Sequence, residues 1–228
     1  MDRLLVLKTL MQQKGLKNYL EIGVFNGHIF FRIQSSFKVA VDPDFAFGNA
    51  RKAGKLLLNP YNFYNQYFEK PSDDFFAQDA PKVFAEKKIE LSLIDGMHEY
   101  EFALRDVENA LQYAADDVVL ILHDCNPLTK DAACSFRQWQ ARDYTGIWNG
   151  DVWKVILHLR SMRKDLTSFV LDADNGLGVV VKKKNEQPLS YTKEEIGRLT
   201  YEDFDVNRQK WLDLRPASYF YKFFELHT

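Results

Sequence analysis

The stretch YLEIGVFNGHIFF, Tyr19 to Phe31, followed by KVAVDPD at Lys38 to Asp44, constrains this chain more than any other feature. It spells a buried strand, a glycine-containing turn, a helix start, a second buried strand and then an acidic residue. Parallel α/β sheets place ligands beyond the carboxyl ends of their strands, where glycines let a nucleoside approach the backbone and a carboxylate can grip ribose hydroxyls. Gly23 and Gly27 alone read equally well as turn residues, because dinucleotide fingerprints carry three glycines at other spacings. Asp42, at the end of the second strand, strengthens the nucleoside reading.

The remainder of the chain alternates strand and helix. Leu4, Leu5, Leu7, Leu10 and Met11 recur at helical spacing and predict an amphipathic helix ending near Gly15. A first strand is expected over Asn18–Ile22, a helix over His28 to about Ser35 and a second strand over Phe37–Val41. Further on, NFYNQY suggests a strand and SDDFF a capped helix start. The apolar run Ile89–Gly96 ends in Asp95 and Gly96 and is followed by a helical pattern over His98–Ala114. Val118–Leu122, stopped by Asn126-Pro127, reads as a fully buried parallel strand. A helix over Asp151–Arg163 and strands over Thr167–Leu171 and Gly178–Lys182 follow, the strands joined by the hairpin signal DADNG.

With 228 residues, 46% hydrophobic and 27% charged, the chain can bury a large core. A single domain over 1–228 is expected, with an N-terminal helix in 1–17 and an aromatic appendage in 185–228. A formal net charge of -2 and a pI near 6.2 leave no global basic field, so a small molecule is the expected partner and nucleic acid is not. Cys125 and Cys134 form no multi-disulfide framework and lack zinc-site spacing, which suits a reducing compartment. The N-terminal segment is too short and polar to span a membrane and shows no cleavage site, so a cytoplasmic protein is expected.

EIGVFNG, VAVDPD, LIDGMHEYE and ILHDCNP, in that order and with a terminal hairpin, resemble class I S-adenosylmethionine-dependent methyltransferases. The resemblance covers Tyr19 to Lys182 and points to the branch of caffeoyl-CoA, catechol and macrolide-sugar O-methyltransferases. It implies a Rossmann-like α/β fold: a seven-stranded, mostly parallel sheet with an antiparallel last strand, helices on both faces, and S-adenosylmethionine as cofactor. Carried over by position, Glu21, Gly23 and Gly27 form the loop that meets the cofactor, and Asp42 accepts from the ribose hydroxyls. Ser72 and Asp73 fall where adenine is contacted, although a plain helix cap reads equally well there.

Asp95, with Asp124 and His123, is implied as a ligand of a divalent metal, the alternative being that Asp95 holds the cofactor's methionine end and His123 hydrogen-bonds within the sheet edge. His123 stands where the metal-dependent members carry an acid, and imidazole favours transition metals over Mg²⁺. His98 occupies the position of a catalytic lysine and implies a general base, the alternative being a helix start bonded to its own backbone or to Glu101. The implied activity is O-methylation of a small hydroxylated acceptor, sugar or aromatic, with or without a metal. The alternatives are a catalytically silent nucleoside- or partner-binding protein on the same fold, and N-methylation.

Trp139, Tyr144, Trp148 and Trp153 cluster after the strand ending at Leu122, where the implied fold opens to the acceptor, and Trp153 reads as core. Lys182 to Lys184 reads as a solvated strand edge. The aromatic C-terminal segment WLDLRPASYFYKFFELHT is expected to cover the sheet or a helix, lid the site, or form a homo-oligomer surface.

Overall fold

The computed structural model describes residues 1–141 and 146–227, and Tyr144 lies outside the described residues. The chain forms two compact units, one of residues 2–96 and 105–118, the other of residues 1, 97–104 and 119 onward.

The first unit opens with α1 (Arg3–Gln13), capped by the Asp2 carboxylate, which accepts from the Leu5 amide at 2.8 Å. Its buried face carries Val6, Leu7, Leu10 and Met11, while Leu5 is 45% exposed, so the apolar stripe is rotated from the expected one. β1 (Asn18–Ile22) and β2 (Phe37–Asp42) follow as anticipated, β2 buried along its whole length as a doubly covered parallel strand must be.

The helix expected over His28–Ser35 does not form; one 3-10 turn, Phe30–Arg32, takes its place. Side chains from elsewhere claim the carbonyls that a helix would use. Lys38 Nζ donates to the carbonyls of Phe30 at 2.7 Å and Ile33 at 2.9 Å, and to Asn62 Oδ1 at 2.8 Å. Asn59 donates to the carbonyls of Phe31 and Ile33, both at 3.1 Å, and Asn62 to that of Phe31 at 3.2 Å. Buried backbone acceptors are thereby satisfied without a helical ladder.

The chain continues through α2 (Asn49–Leu58), a 3-10 turn at Pro60–Tyr64, β3 (Asn65–Glu69), α3 (Ser72–Gln78), α4 (Ala80–Val83) and β4 (Ile89–Ile94). The NFYNQY run is thus split between turn and strand. β1 pairs in parallel with β2 and β4, with Ile22 level with Val41 on one side and Ile94 on the other. Gly23, Asp42 and Asp95 therefore leave three adjacent strands at one edge. α5 (Tyr100–Gln112) and β5 (Ala114–Leu122) each have one part in each unit.

The second unit adds α6 (Phe136–Gln140), α7 (Trp153–Met162), β6 (Thr167–Asp172), β7 (Leu177–Val181), α8 (Lys193–Arg198), α9 (Tyr201–Leu212), β8 (Leu214–Pro216) and α10 (Tyr219–Phe224). β7 runs antiparallel to both β5 and β6, and β8 lies parallel to β6. The strand order is β3-β2-β1-β4-β5-β7-β6-β8, a Rossmann-like α/β sheet that the C-terminal segment extends from seven strands to eight.

α7 is buried at every position from Trp153 to Arg160, which an isolated surface helix could not sustain. The C-terminal appendage covers it: Phe204 and Trp211 stack on Trp153 with ring centroids at 4.6 and 5.8 Å. Tyr219 and Phe223 pack on Phe169 of β6 at 5.3 and 4.7 Å. Full burial of a ring such as Phe204 or Trp211 contributes roughly 1.5–3 kcal/mol, so this aromatic segment is part of the core. Among the described residues no helix is long and apolar enough to cross a membrane.

Candidate functional site

In the first unit the strand ends build a loop cradle. Gly23 has φ +80°, and a β-carbon there would be driven into the Asp95 carbonyl, so only glycine lets the loop after β1 pass the end of β4. Asp42 Oδ2 accepts from the Phe25 amide at 2.7 Å and Oδ1 from the Asp44 amide at 2.8 Å. A carboxylate offers about four acceptor positions, so roughly two stay open for hydroxyl donors. Gly27 packs against the Phe31 ring and shapes the loop from behind.

Glu21 is 2% exposed and accepts from the Tyr19 hydroxyl at 2.5 Å. Burial raises its pKa from the ordinary 4.5 to about 8, so it is largely a neutral acid at pH 7. Lys38, on the neighbouring strand, is driven the other way, from 10.5 to about 7, again by burial. Asp95 pairs with Arg3 of α1 at 3.4 Å.

Ser72 and Asp73 are both tied to α5. Ser72 hydrogen-bonds Asp106, and Asp73 faces Arg105 at 3.0 Å. Asp106, 3% exposed, has its pKa raised by burial to about 7, and its Oδ2 lies beside Gly96. Sequence reasoning passed over this carboxyl; its signal was an acid set within the buried Ala103, Val107 and Ala110 face of an amphipathic helix.

In the second unit the polar groups gather around Asp124, which sits just past β5 at φ +60°. Its Oδ2 lies 2.9 Å from His123 Nδ1 and 3.3 Å from His98 Nδ1, and its Oδ1 accepts from Asn149 at 2.6 Å. His98 Nδ1 is also 2.7 Å from the Trp148 carbonyl. A carbonyl only accepts, so Nδ1 carries a proton, and in the neutral ring the lone pair falls on Nε2.

Three local devices hold this geometry. Gly150, at φ +59°, leaves room for the His98 carbonyl where any β-carbon would collide with it. The Asp151 amide donates to that carbonyl at 3.2 Å, while Asp151 Oδ1 accepts from the Tyr100 amide at 2.7 Å. The predicted hairpin turn, with Asp174 and Asn175 at φ 48° and 60°, receives the amides of Cys125 and Asn126 and puts Asp174 Oδ1 3.5 Å from His123 Nε2. The His98 ring stacks on Trp148 at 5.0 Å, and Trp148 in turn on Trp139 at 5.2 Å. Asn149, Asp151 and Asp174 were not singled out from the sequence, although the Asn149-Gly150 pair is a turn signal.

Residues 20–125 match a family model described as a methyltransferase domain. The O-methyltransferase TomG of Streptomyces achromogenes, solved with SAM, superposes with a TM-score of 0.57 at 14% identity, covering 78% of each chain. This chain has the class I methyltransferase fold. An O-methyltransferase from Bacillus cereus in complex with SAH shares that fold at TM-score 0.51 and 16% identity, covering 77% of this chain and 79% of its own. The SAH-bound Podospora anserina methyltransferase PaMTH1 aligns at 0.53 and 13% identity over 76% of this chain and 75% of its own. A search of the curated proteins finds no match.

Gly23, Asp42 and Asp95 thus stand at adjacent strand ends of the first unit, and Asp42 keeps acceptor positions open to hydroxyl donors. The donors named for a metal also have protein partners. Asp124 already faces three nitrogen donors, His123 lies between the carboxylates of Asp124 and Asp174, and Asp95 is paired with Arg3.

Proposed function

We propose that this chain is an S-adenosylmethionine-dependent methyltransferase that acts on a hydroxyl of a small acceptor, with His98 as the general base. S-adenosylmethionine, when bound, supplies an electrophilic methyl group. Asp42 would take the ribose hydroxyls, Gly23 would give the backbone clearance, and Glu21 and Asp95 would face the amino-acid end. His98 would accept the acceptor's hydroxyl proton on Nε2.

The fixed tautomer of His98 carries this reading. With Nδ1–H directed at the Trp148 carbonyl and Asp124, the imidazolium formed on proton uptake is stabilised by a carboxylate 3.3 Å away. A helix-starting histidine without that role would need no buried carboxylate behind it. General-base catalysis of this kind contributes about 10²–10⁴ in rate. Asp124 is then a positioning residue, and Asn149 holds Asp124 in turn.

The test combines binding and turnover. S-adenosylhomocysteine should bind by calorimetry to the native chain and not to Asp42→Ala. With an acceptor found by screening hydroxylated sugars and phenols, His98→Asn should lower kcat by at least about 100-fold while leaving S-adenosylhomocysteine affinity unchanged. Asp124→Asn should displace the pH profile of kcat. Turnover with and without chelator then separates unassisted general-base catalysis from metal assistance. Absence of S-adenosylhomocysteine binding to the native chain overturns the reading.

A further inference from the structure

Within the second unit, at the strand ends opposite Asp124, a cavity of about 420 Å³ is lined by Arg160, Ser168, Lys183, Lys184, Arg215 and Phe223, with further loop residues. Val119, Val181 and Thr167 are level at this end, while Asp124 lies five residues along from Val119. At 3.3 Å per residue, the cavity is roughly 15 Å from Asp124 along the strands, so it is not part of the site described above.

Its charge is unbalanced. Lys184 pairs with Glu186 at 3.4 Å and Arg215 with Asp213 at 2.7 Å. Arg160 and Lys183 have no ion-pair contact within 4 Å among the described residues, although the Asp213 carboxylate, which lines the cavity with Glu186, also acts on Arg160. Arg160 is 5% exposed and donates to the Lys210 and Trp211 carbonyls at the end of α9, which satisfies hydrogen bonds but not charge. Lys183 Nζ lies over the Phe223 ring at 5.1 Å.

The second, independent observation is Ser168. It is 4% exposed, lines the cavity, and its hydroxyl has no hydrogen-bond partner among the described residues. Arg215 Nε is likewise buried and unpartnered. Buried polar atoms of folded proteins are paired in the great majority of cases, and each exception calls for an explanation.

We propose that this cavity binds a phosphoryl group, free or esterified to a small molecule. A phosphoryl group carries close to two negative charges at neutral pH, matching the excess of Arg160, Lys183, Lys184 and Arg215 over Glu186 and Asp213 in the lining, and its oxygens accept from a hydroxyl and from guanidinium forks. The volume lies in the range of small-molecule pockets and exceeds what a bare anion fills, and Phe223 offers an apolar wall to whatever carries the group.

The test uses the full chain at constant ionic strength, with orthophosphate, pyrophosphate and glycerol 3-phosphate each titrated against chloride and followed by thermal unfolding and calorimetry. A saturable rise in Tm is expected with at least one phosphoryl probe and not with chloride. Lys183→Ala and Ser168→Ala should each weaken that binding at least fivefold while S-adenosylhomocysteine affinity is unchanged. Ser168→Ala without ligand should leave Tm unchanged or raised, since it removes an unpaired group; this separates ligand binding from a structural role. A preference for glycerol 3-phosphate assigns an esterified ligand, and a preference for either inorganic anion assigns a free one. Equal responses to chloride and all phosphoryl probes, or binding that survives both substitutions, overturns the proposal.

Discussion

Replacing Glu21 by glutamine should remove a pH dependence that the buried carboxyl imposes on folding. Glu21 is buried with a pKa raised to about 8 from the ordinary 4.5, so between those values the folded chain holds a proton that the unfolded chain has released. Stability from this group is fully present below pH 4.5 and is lost as pH rises through 8, to a total of about 5 kcal/mol at 1.36 kcal/mol per pH unit. Between pH 6 and 8 the loss is about 2 kcal/mol, equivalent to roughly 4–8 °C in Tm for a chain of this size. Lys38, lowered to about 7, works in the opposite sense, because its buried ammonium costs stability that is regained as pH rises from 7. Tyr19, Asp95 and Arg3 also face Glu21. The informative quantity is therefore the difference in Tm between wild type and Glu21→Gln, measured by calorimetry from pH 5 to 9. Glutamine keeps an acceptor for the Tyr19 hydroxyl and does not titrate, so Glu21→Gln should gain on wild type as pH rises. A pH-independent difference would refute the argument that Glu21 is buried as the neutral acid.

Gly23→Ala should destabilise the chain by more than about 2 kcal/mol in chemical denaturation, since left-handed backbone alone costs a β-carbon about 1–2 kcal/mol and the Asp95 carbonyl blocks it further. Asn62→Ala should cost about 1–3 kcal/mol, as it leaves one buried Lys38 donor without its partner and removes one of two donors to each of the Phe31 and Lys55 carbonyls. Asp106→Asn should flatten the stability profile between pH 4 and 7, because a carboxyl raised to about 7 stabilises the fold below that range and loses its contribution across it. Each is read from denaturation midpoints, and an unchanged value counts against the corresponding contact.

What could be read in the chain was local or periodic. β1 falls on Asn18–Ile22 as expected because an apolar run closed by a glycine turn has few other solutions. The hairpin between β6 and β7 was legible for the same reason: its turn residues dictate the backbone. The missing helix at His28–Ser35 was not, since the side chains that satisfy its carbonyls come from Lys38, Asn59 and Asn62. β8 escaped notice because a three-residue strand containing a proline has no pattern of its own and exists only through its pairing with β6. In the site, Asp42 and His98 stood out by position after a strand. Asn149, Asp151 and Asp174 did not, because their roles come from turns that fold back onto Asp124 and His98.

β8 also determines how this sheet can meet another molecule. It is the terminal strand on its side, only three residues long, and its last residue, Pro216, has no amide hydrogen to offer a neighbouring backbone. A second chain arriving edge to edge would find too few donors and acceptors to add a ninth strand there. Assembly through continued backbone pairing is closed on that side, and any lasting association of this region must be written in side chains.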